Sequence, residues 1–115
     1  MRRDDQRLND ILKALDWVRA RISGRTEKDF LDDEVLSFAV AQNLVIVGEA
    51  AARISPALKA KYPAIPWVDI TGMRNFIIHE YFGVHWPLVW RTALNRAPEL
   101  RAQIAAIVEA EQSAR

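Results

Sequence analysis

Apolar residues recur at helical spacing along most of the chain, and this periodicity constrains the fold more than any other feature. Near the N-terminus the apolar positions stand three and four residues apart, which puts them on one stripe of a helix over about residues 4–23: Leu8, Ile11, Leu12, Leu15, Val18 and Ile22. Asp4 and Asp5 suit the first turn of that helix, and Ser23-Gly24 is a typical end. Because the sequence shows no strand-like alternation and no internal repeat, it predicts an all-α fold.

The same pattern predicts the remaining helices. A second helix is expected over about residues 32–54, where LSFAVAQNLVIVGEAAARI is apolar almost all round and typical of the most buried element. The connection SPALKAKYP has room for only a turn or two of helix. A third helix is expected from Pro66 to about Tyr81, with Gly83 closing it. A short helix over about residues 87–95 follows, and then a last one with an apolar stripe made of Leu100, Ile104, Ile107 and Val108.

The number and length of these elements predict the architecture. With 115 residues the chain has the size of one domain. Short connections between amphipathic helices favour an antiparallel bundle. We therefore expect a single-domain bundle of four to five helices over residues 1–115, with its core in about residues 4–111.

Composition narrows the class of protein. The absence of cysteine excludes disulfides and thiolate zinc sites and fits a reducing compartment. We expect no membrane span and no signal peptide, since no apolar run approaches the roughly 20 residues that a span needs and the N-terminus lacks an apolar segment. This composition indicates a cytoplasmic protein. From Arg53 to Arg101 seven basic residues stand against three acidic ones, which suits an anionic ligand unless these are solvated surface charges.

The stretch RNFIIHEY, residues 74–81, concentrates polar side chains on the third predicted helix. At about 100° per residue, Arg74, Asn75, His79 and Tyr81 share one side of that helix over roughly 160°. The opposite side is apolar and is expected to face the core: Ile70, Met73, Phe76 and Ile77. Ile78 lies between Arg74 and His79 on the polar side. An apolar residue at that place suggests a cover, and a second copy of the chain on a two-fold axis is the simplest one.

The residue types in this stretch favour phosphate chemistry. Histidine can act as general base or acid near neutral pH, and the planar arginine fork matches phosphate oxygens. Without a carboxylate cluster to hold a metal, the pair suits metal-independent cleavage of RNA, in which the ribose 2′-hydroxyl attacks its own phosphate. A structural histidine–arginine pair at a helix interface remains the alternative.

Several other side chains are candidates for support or binding. Glu49 interrupts an apolar helix and needs a basic partner, for which Arg74 is the first choice, in a structural or orienting ion pair. Three tryptophans could stack on RNA bases but more often fill the core of a small bundle: Trp67, Trp86 and Trp90. His85 is expected in an exposed loop.

The segment PWVDITGMRNFIIHEYFGV, with the upstream NLVIVGEAAARIS, resembles the HepT-like toxins of the HEPN superfamily. The resemblance covers about residues 8–108 and centres on the pattern R-x-x-x-x-H-x-Y. It implies an all-helical domain that dimerises through the motif helix and cleaves RNA as a toxin. It assigns Arg74 and His79 to catalysis and Asn75 to their support. No cofactor is implied.

The resemblance also implies a partner protein, a minimal nucleotidyltransferase antitoxin that in some members modifies the motif tyrosine, here Tyr81, with AMP. Whether such an antitoxin modifies this chain or only binds it is left open, as are the RNA target, the cut site and the stoichiometry. Two other functions stay open as well. One is a non-catalytic module that binds RNA or nucleotides, and the other is a structural partner subunit of a nucleotidyltransferase.

Overall fold

Helices account for all the regular structure in the part of the chain that the computed structural model describes. It describes residues 3–78 and 83–114, and the side chains of residues 3–75 and 83–114. The helices are α1 (Asp4–Ile22), α2 (Glu27–Asp32), α3 (Glu34–Ala52), α4 (Pro56–Lys61), α5 (Trp67–Ile78), α6 (Trp86–Arg91) and α7 (Ala97–Ser113). The four long ones, α1, α3, α5 and α7, form the bundle, and the predicted all-α fold is confirmed. The predicted end of the third helix, over residues 79–82, lies outside the described residues.

The first loop contains a short helix, α2, that the sequence analysis missed. A capping box begins it: the Thr26 hydroxyl accepts from the backbone N–H of Asp29 at 3.1 Å, and the Asp29 carboxylate accepts from the N–H of Thr26 at 3.0 Å. The buried ring of Phe30 anchors α2 to the core. α1 ends as predicted, since Gly24 adopts φ 75°, the left-handed conformation that reverses the chain.

α3 is less buried than its composition suggested. It begins two residues later than expected, at Glu34, because the Asp33 carboxylate accepts from the N–H of Leu36 at 3.0 Å and caps the helix. One face packs into the core, but Val35, Phe38 and Ile46 on the outer face are 82%, 55% and 38% exposed. α3 still has more buried residues than any other described helix, so the prediction that it is the most buried element is confirmed, although one of its faces is exposed.

The expectation of no membrane-length apolar stretch also needs correction. By length and composition alone, α3 is apolar enough to cross a membrane. More than half of the relevant residues are buried inside the bundle, as in the core helix of a compact domain. Packing, rather than composition, distinguishes these two roles for a helix of this kind.

The last two predicted helices form one continuous run instead of two separate elements. α6 passes into a π-helical turn, Thr92–Arg96, and the run continues as α7. In this turn the N–H of Ala97 reaches the carbonyl of Thr92, five residues back. The wider turn precedes Pro98, which has no N–H and whose ring would clash with a carbonyl in a regular α-helix. A helix therefore continues past the predicted end of the short helix at about residue 95.

Hydrogen bonds and an ion pair connect the start of α1 and the end of α7 to α4 and the residues that flank it. The Asp4 carboxylate accepts from the N–H and hydroxyl of Ser55, at 2.9 and 2.5 Å. At the other side of α4, the Glu111 carboxylate accepts from the Tyr62 hydroxyl at 2.5 Å and from Lys61 Nζ at 2.8 Å. These hydrogen bonds to Glu111 raise the pKa of both Lys61 and Tyr62. The predicted turn or two of helix in this connection is confirmed and is fixed at both ends.

α3 and α5 approach each other most closely at Gly48. A Cβ atom placed on Gly48 would lie 2.9 Å from the backbone nitrogen of Arg74 and 3.2 Å from the carbonyl oxygen of Ile70. Those neighbours are backbone atoms and cannot rotate away. A residue without a side chain is therefore required here.

We predict that Gly48→Ala destabilises the protein whereas Gly72→Ala does not. Both positions are helical, so both variants gain about 1 kcal/mol of helix propensity. Nothing lies within 4 Å of a Cβ on Gly72, but a Cβ on Gly48 pushes α3 away from α5. The overpacking cost should separate the free energies of unfolding of the two variants by about 1–3 kcal/mol, measured by urea titration. Equal stabilities would show that the helices do not meet this closely.

Candidate functional site

The predicted pairing of Glu49 with Arg74 is confirmed. Arg74 Nη1 lies 3.3 Å from Glu49 Oε2, across the seam between α3 and α5. The side chain of Glu49 is 37% exposed and that of Arg74 is 33% exposed, so this pair lies at the mouth of the seam and not in the core. Gly48 makes the contact possible, since it lets the backbone of Arg74 come against α3. The site is therefore built from two helices whose separation one glycine sets.

Arg74 lies closer to the core than helix periodicity alone predicted. Arg74 was predicted to lie on the open polar face of α5. In the structure its side chain is partly buried at the edge of that face. Asn75 is exposed, as expected. Ile70 and Met73 are buried on the opposite side, as predicted. The periodicity of α5 shows which of its residues share a face, but it does not show how much of that face α3 covers.

The C-terminal half of the motif was predicted to supply His79 and Tyr81, and both lie outside the described residues. The side chains of Phe76, Ile77 and Ile78 lie outside them as well. α5 is described as far as Ile78. The structure therefore brings together Glu49 and Arg74 and leaves Asn75 exposed, and the roles of Asn75, His79 and Tyr81 stay predictions.

Arg53 is a further member of the site that was not predicted from the sequence. Its Nη2 lies 3.9 Å from Glu49 Oε2, the same oxygen that receives Arg74. One carboxylate thus lies between two guanidinium groups, and the group as a whole carries an excess of positive charge. The signal was present in the sequence, because Glu49 and Arg53 are four residues apart and face each other on a helix. This local charge favours an anion at the mouth of the seam.

The tryptophans serve mainly in packing. Trp67 is buried and its indole N–H donates to the carbonyl of Tyr62 at 3.0 Å. Trp90 is buried against Phe30, with ring centroids 5.4 Å apart. Trp86 is only partly buried. The core reading of Trp67 and Trp90 is confirmed, and neither ring is available to stack on a base.

His85 is exposed, as expected, and has a structural task that the sequence analysis did not assign. Its Nδ1 accepts from the backbone N–H of Leu88 at 3.1 Å and caps the start of α6. Within residues 3–78 and 83–114, no three His, Asp or Glu side chains come together in a way that could hold a metal ion.

Comparison with known proteins assigns the family. The model of the family described as Ribonuclease HepT-like matches residues 11–107. A protein of Caldanaerobacter subterraneus subsp. tengcongensis named Putative RNase TTE0752 is 37% identical over 91% of this chain and 94% of its own length. Probable ribonuclease HepT of Thermococcus cleftensis is 35% identical over 84% of this chain and 87% of its own length. No solved structure matches the chain significantly. These matches confirm the resemblance seen in the motif: the chain belongs to the HepT-like ribonuclease family.

Proposed function

We propose that this chain is a metal-independent endoribonuclease toxin with its active site at Arg74 and His79. Family membership supports ribonuclease chemistry, and the observation that carries the location is the Glu49–Arg74 contact. Within the described part of the chain, only Nη1 of the guanidinium has a hydrogen bond. The other guanidinium donors have no partner among the described residues, and the Arg74 side chain is about one-third exposed to solvent. An arginine held at one nitrogen and free at the others can bind a phosphate in a defined orientation.

The proposed reaction uses one proton acceptor and one electrostatic clamp. His79 takes the proton from the ribose 2′-hydroxyl, whose oxygen attacks the adjacent phosphorus. The bond from phosphorus to the 5′-oxygen of the next nucleotide then breaks, and that oxygen receives a proton from water. A 2′,3′-cyclic phosphate and a 5′-hydroxyl result. Arg74 stabilises the additional negative charge on the phosphoryl oxygens in the transition state, and Asn75 helps to orient the group.

Substitution of the two proposed catalytic residues tests this function. In the presence of EDTA, His79→Ala and Arg74→Lys should each lower the rate of RNA cleavage by about 10²–10³-fold, the usual loss for one transition-state contact. Lysine keeps the charge of Arg74 but not its planar fork. Circular dichroism should show an unchanged helical fold. Wild-type rates in both variants would place the active site elsewhere, and an inactive wild type would favour a non-catalytic module that binds RNA or a nucleotidyltransferase.

Glu49 is proposed as a positioning residue for Arg74 and belongs in the same assay. Glu49→Ala should lower the cleavage rate by about tenfold or more, because the guanidinium loses its fixed direction. Glu49→Gln keeps an oxygen acceptor and should recover most of that loss. Both variants should lose less than about 1 kcal/mol of stability, since a partly exposed ion pair contributes little. Equal rates for the two variants would show that orientation by an acceptor is not the role of Glu49.

The proposed toxin acts as a homodimer through the motif helix and the neighbouring outer face of α3. The exposed apolar residues Val35, Phe38 and Ile46 lie on one stripe of α3, and Glu49 continues the same stripe toward Arg74. Val68, near the start of α5, is 85% exposed. Exposed apolar side chains beside a polar site are typical of a surface that a partner covers. The predicted contact at Ile78 would extend this surface.

A charge on the α3 stripe should therefore break the dimer. Val35→Glu and Ile46→Glu are expected to give monomers in sedimentation at micromolar concentration, while wild type sediments as a dimer with an interface of about 1,200 Å² or more. Leu94→Glu is the matched control, because Leu94 is 47% exposed but lies in the π-helical turn, away from this stripe. A monomeric wild type would overturn the proposal.

Control of the toxin is proposed to act at Tyr81, through a partner nucleotidyltransferase. Its phenol oxygen would attack the α-phosphorus of ATP, the bond to the pyrophosphate group would break, and a base of the partner would take the phenol proton. The product carries one phosphodiester charge and a bulky nucleotide. The added charge would repel an RNA phosphate from the cleft, and the added nucleotide would occupy the space that the RNA needs.

Intact-mass measurement after co-expression with a nucleotidyltransferase encoded next to this chain tests Tyr81. Wild type should gain AMP, and Tyr81→Phe should stay unmodified and toxic. The control is Tyr62→Phe, which removes the only other tyrosine hydroxyl and should leave modification unchanged. Modified Tyr81→Phe, or unmodified wild type, would refute control by AMP at this residue.

A further inference from the structure

A cavity of about 250 Å³ opens between the end of α1 and the start of α7. None of its lining residues belongs to α3 or α5, so it is separate from the Glu49–Arg74 site. Its floor is apolar and consists of Leu15, Ile22, Ala93, Leu94, Ala97 and Pro98. Its rim consists of three arginines, Arg19, Arg25 and Arg101, with Ser23 and Gly24 between the first two along the chain. We name it the α1–α7 cavity.

The three guanidinium groups are incompletely neutralised. Arg101 donates to the Asp16 carboxylate through Nε at 3.0 Å and Nη2 at 3.4 Å, which leaves Nη1 available. Arg25 is 3.8 Å from Asp33, a distance beyond a good hydrogen bond. Neither carboxylate lines the cavity.

Arg19 has no acidic partner among the residues that the structure describes. A cation in the last turn of α1 is favourable for the helix dipole, and this accounts for Arg19 on its own. It does not account for the convergence of Arg25 from the following loop and Arg101 from another helix. The rim therefore carries an excess of positive charge over one small opening.

The π-helical turn contributes directly to the shape of the cavity. Ala93 and Leu94 belong to that turn, and Ala97 and Pro98 follow it immediately. The wider turn displaces this stretch from the path of a regular helix, and small side chains at Ala93 and Ala97 leave space beside α1. π-helical turns of this kind are frequent at functional sites.

We propose that the α1–α7 cavity binds the phosphate and base of one nucleotide, as a second site that does not depend on the proposed cleavage function. Several guanidinium groups around one opening match a phosphate, which carries more charge and more acceptor oxygens than a single carboxylate. The apolar floor fits the face of a base, and arginine planes can also stack on it. The volume is just below the usual range of about 300–1,000 Å³ for ligand pockets, which suits one nucleotide rather than two.

Titration with AMP, followed by NMR of the backbone amides, tests the proposal. We expect shifts that centre on residues 19–25 and 93–101. Arg19→Ala should weaken AMP binding by about tenfold, the effect of losing one charge-assisted hydrogen bond. Arg21→Ala is the matched control, because Arg21 is on the same helix but lies over the ring of Trp17, at 5.0 Å, and does not line the cavity. Arg74→Ala should leave the binding unchanged, which distinguishes this cavity from the α3–α5 site.

Two further measurements identify the ligand. Leu94→Ser should weaken the binding of AMP but not that of inorganic phosphate, because only the base needs the apolar floor. A short RNA carrying a 5′-phosphate, compared with the same RNA lacking it, shows whether the nucleotide is free or is the end of a strand. Binding of either AMP or the phosphorylated RNA that depends on Arg19 supports the proposal. Equal losses in Arg19→Ala and Arg21→Ala, no binding of either probe, or tighter binding of an acidic peptide would overturn it.

Discussion

The close approach of α3 and α5 at Gly48 is the constraint on which the functional site depends. With a side chain at this position, the backbone of Arg74 could not come against α3, and the guanidinium could not reach Glu49 at 3.3 Å. The same contact explains why Arg74 is partly buried although its neighbour Asn75 is exposed. A packing requirement at one glycine thus sets the direction of the residue that is proposed to bind phosphate.

Glu49 links this packing to the electrostatics of the site. Its carboxylate lies 3.3 Å from Arg74 and 3.9 Å from Arg53, so that one negative charge faces two positive ones. Because these side chains are partly exposed, the arrangement adds little stability, and its main effect is on direction and local potential. A substrate phosphate would supply the missing negative charge. Stability and function therefore rest on different contacts of the same seam, the first on Gly48 and the second on Glu49.

The bundle presents two basic regions with different surroundings. The α3–α5 seam adjoins an exposed apolar stripe that is suited to a second copy of the chain, and the α1–α7 cavity has its own apolar floor under three arginines. The π-helical turn before Pro98 helps to shape the second region. At this turn the helix continues, but its backbone is displaced from the course of a regular α-helix. The surface proposed to bind a second copy of the chain is thus separate from the cavity proposed to bind a nucleotide.

The sequence by itself determined the four long helices of the bundle, because each amphipathic helix carries its apolar period and its caps locally. It gave the ends of α1, the short helix in the proline-rich connection, and the pairing of Glu49 with a basic residue of the motif helix. α2 was not predicted, although Thr26 and Asp29 form its capping box, and the short helix predicted to end at about residue 95 in fact continues into α7. Only the tertiary structure decided that α3 exposes one apolar face, that Arg53 shares Glu49, and that three arginines surround one cavity. Those features depend on which helices pack against each other across the bundle. The periodicity of a helix shows which of its faces is apolar, but it does not show which other helix will cover that face.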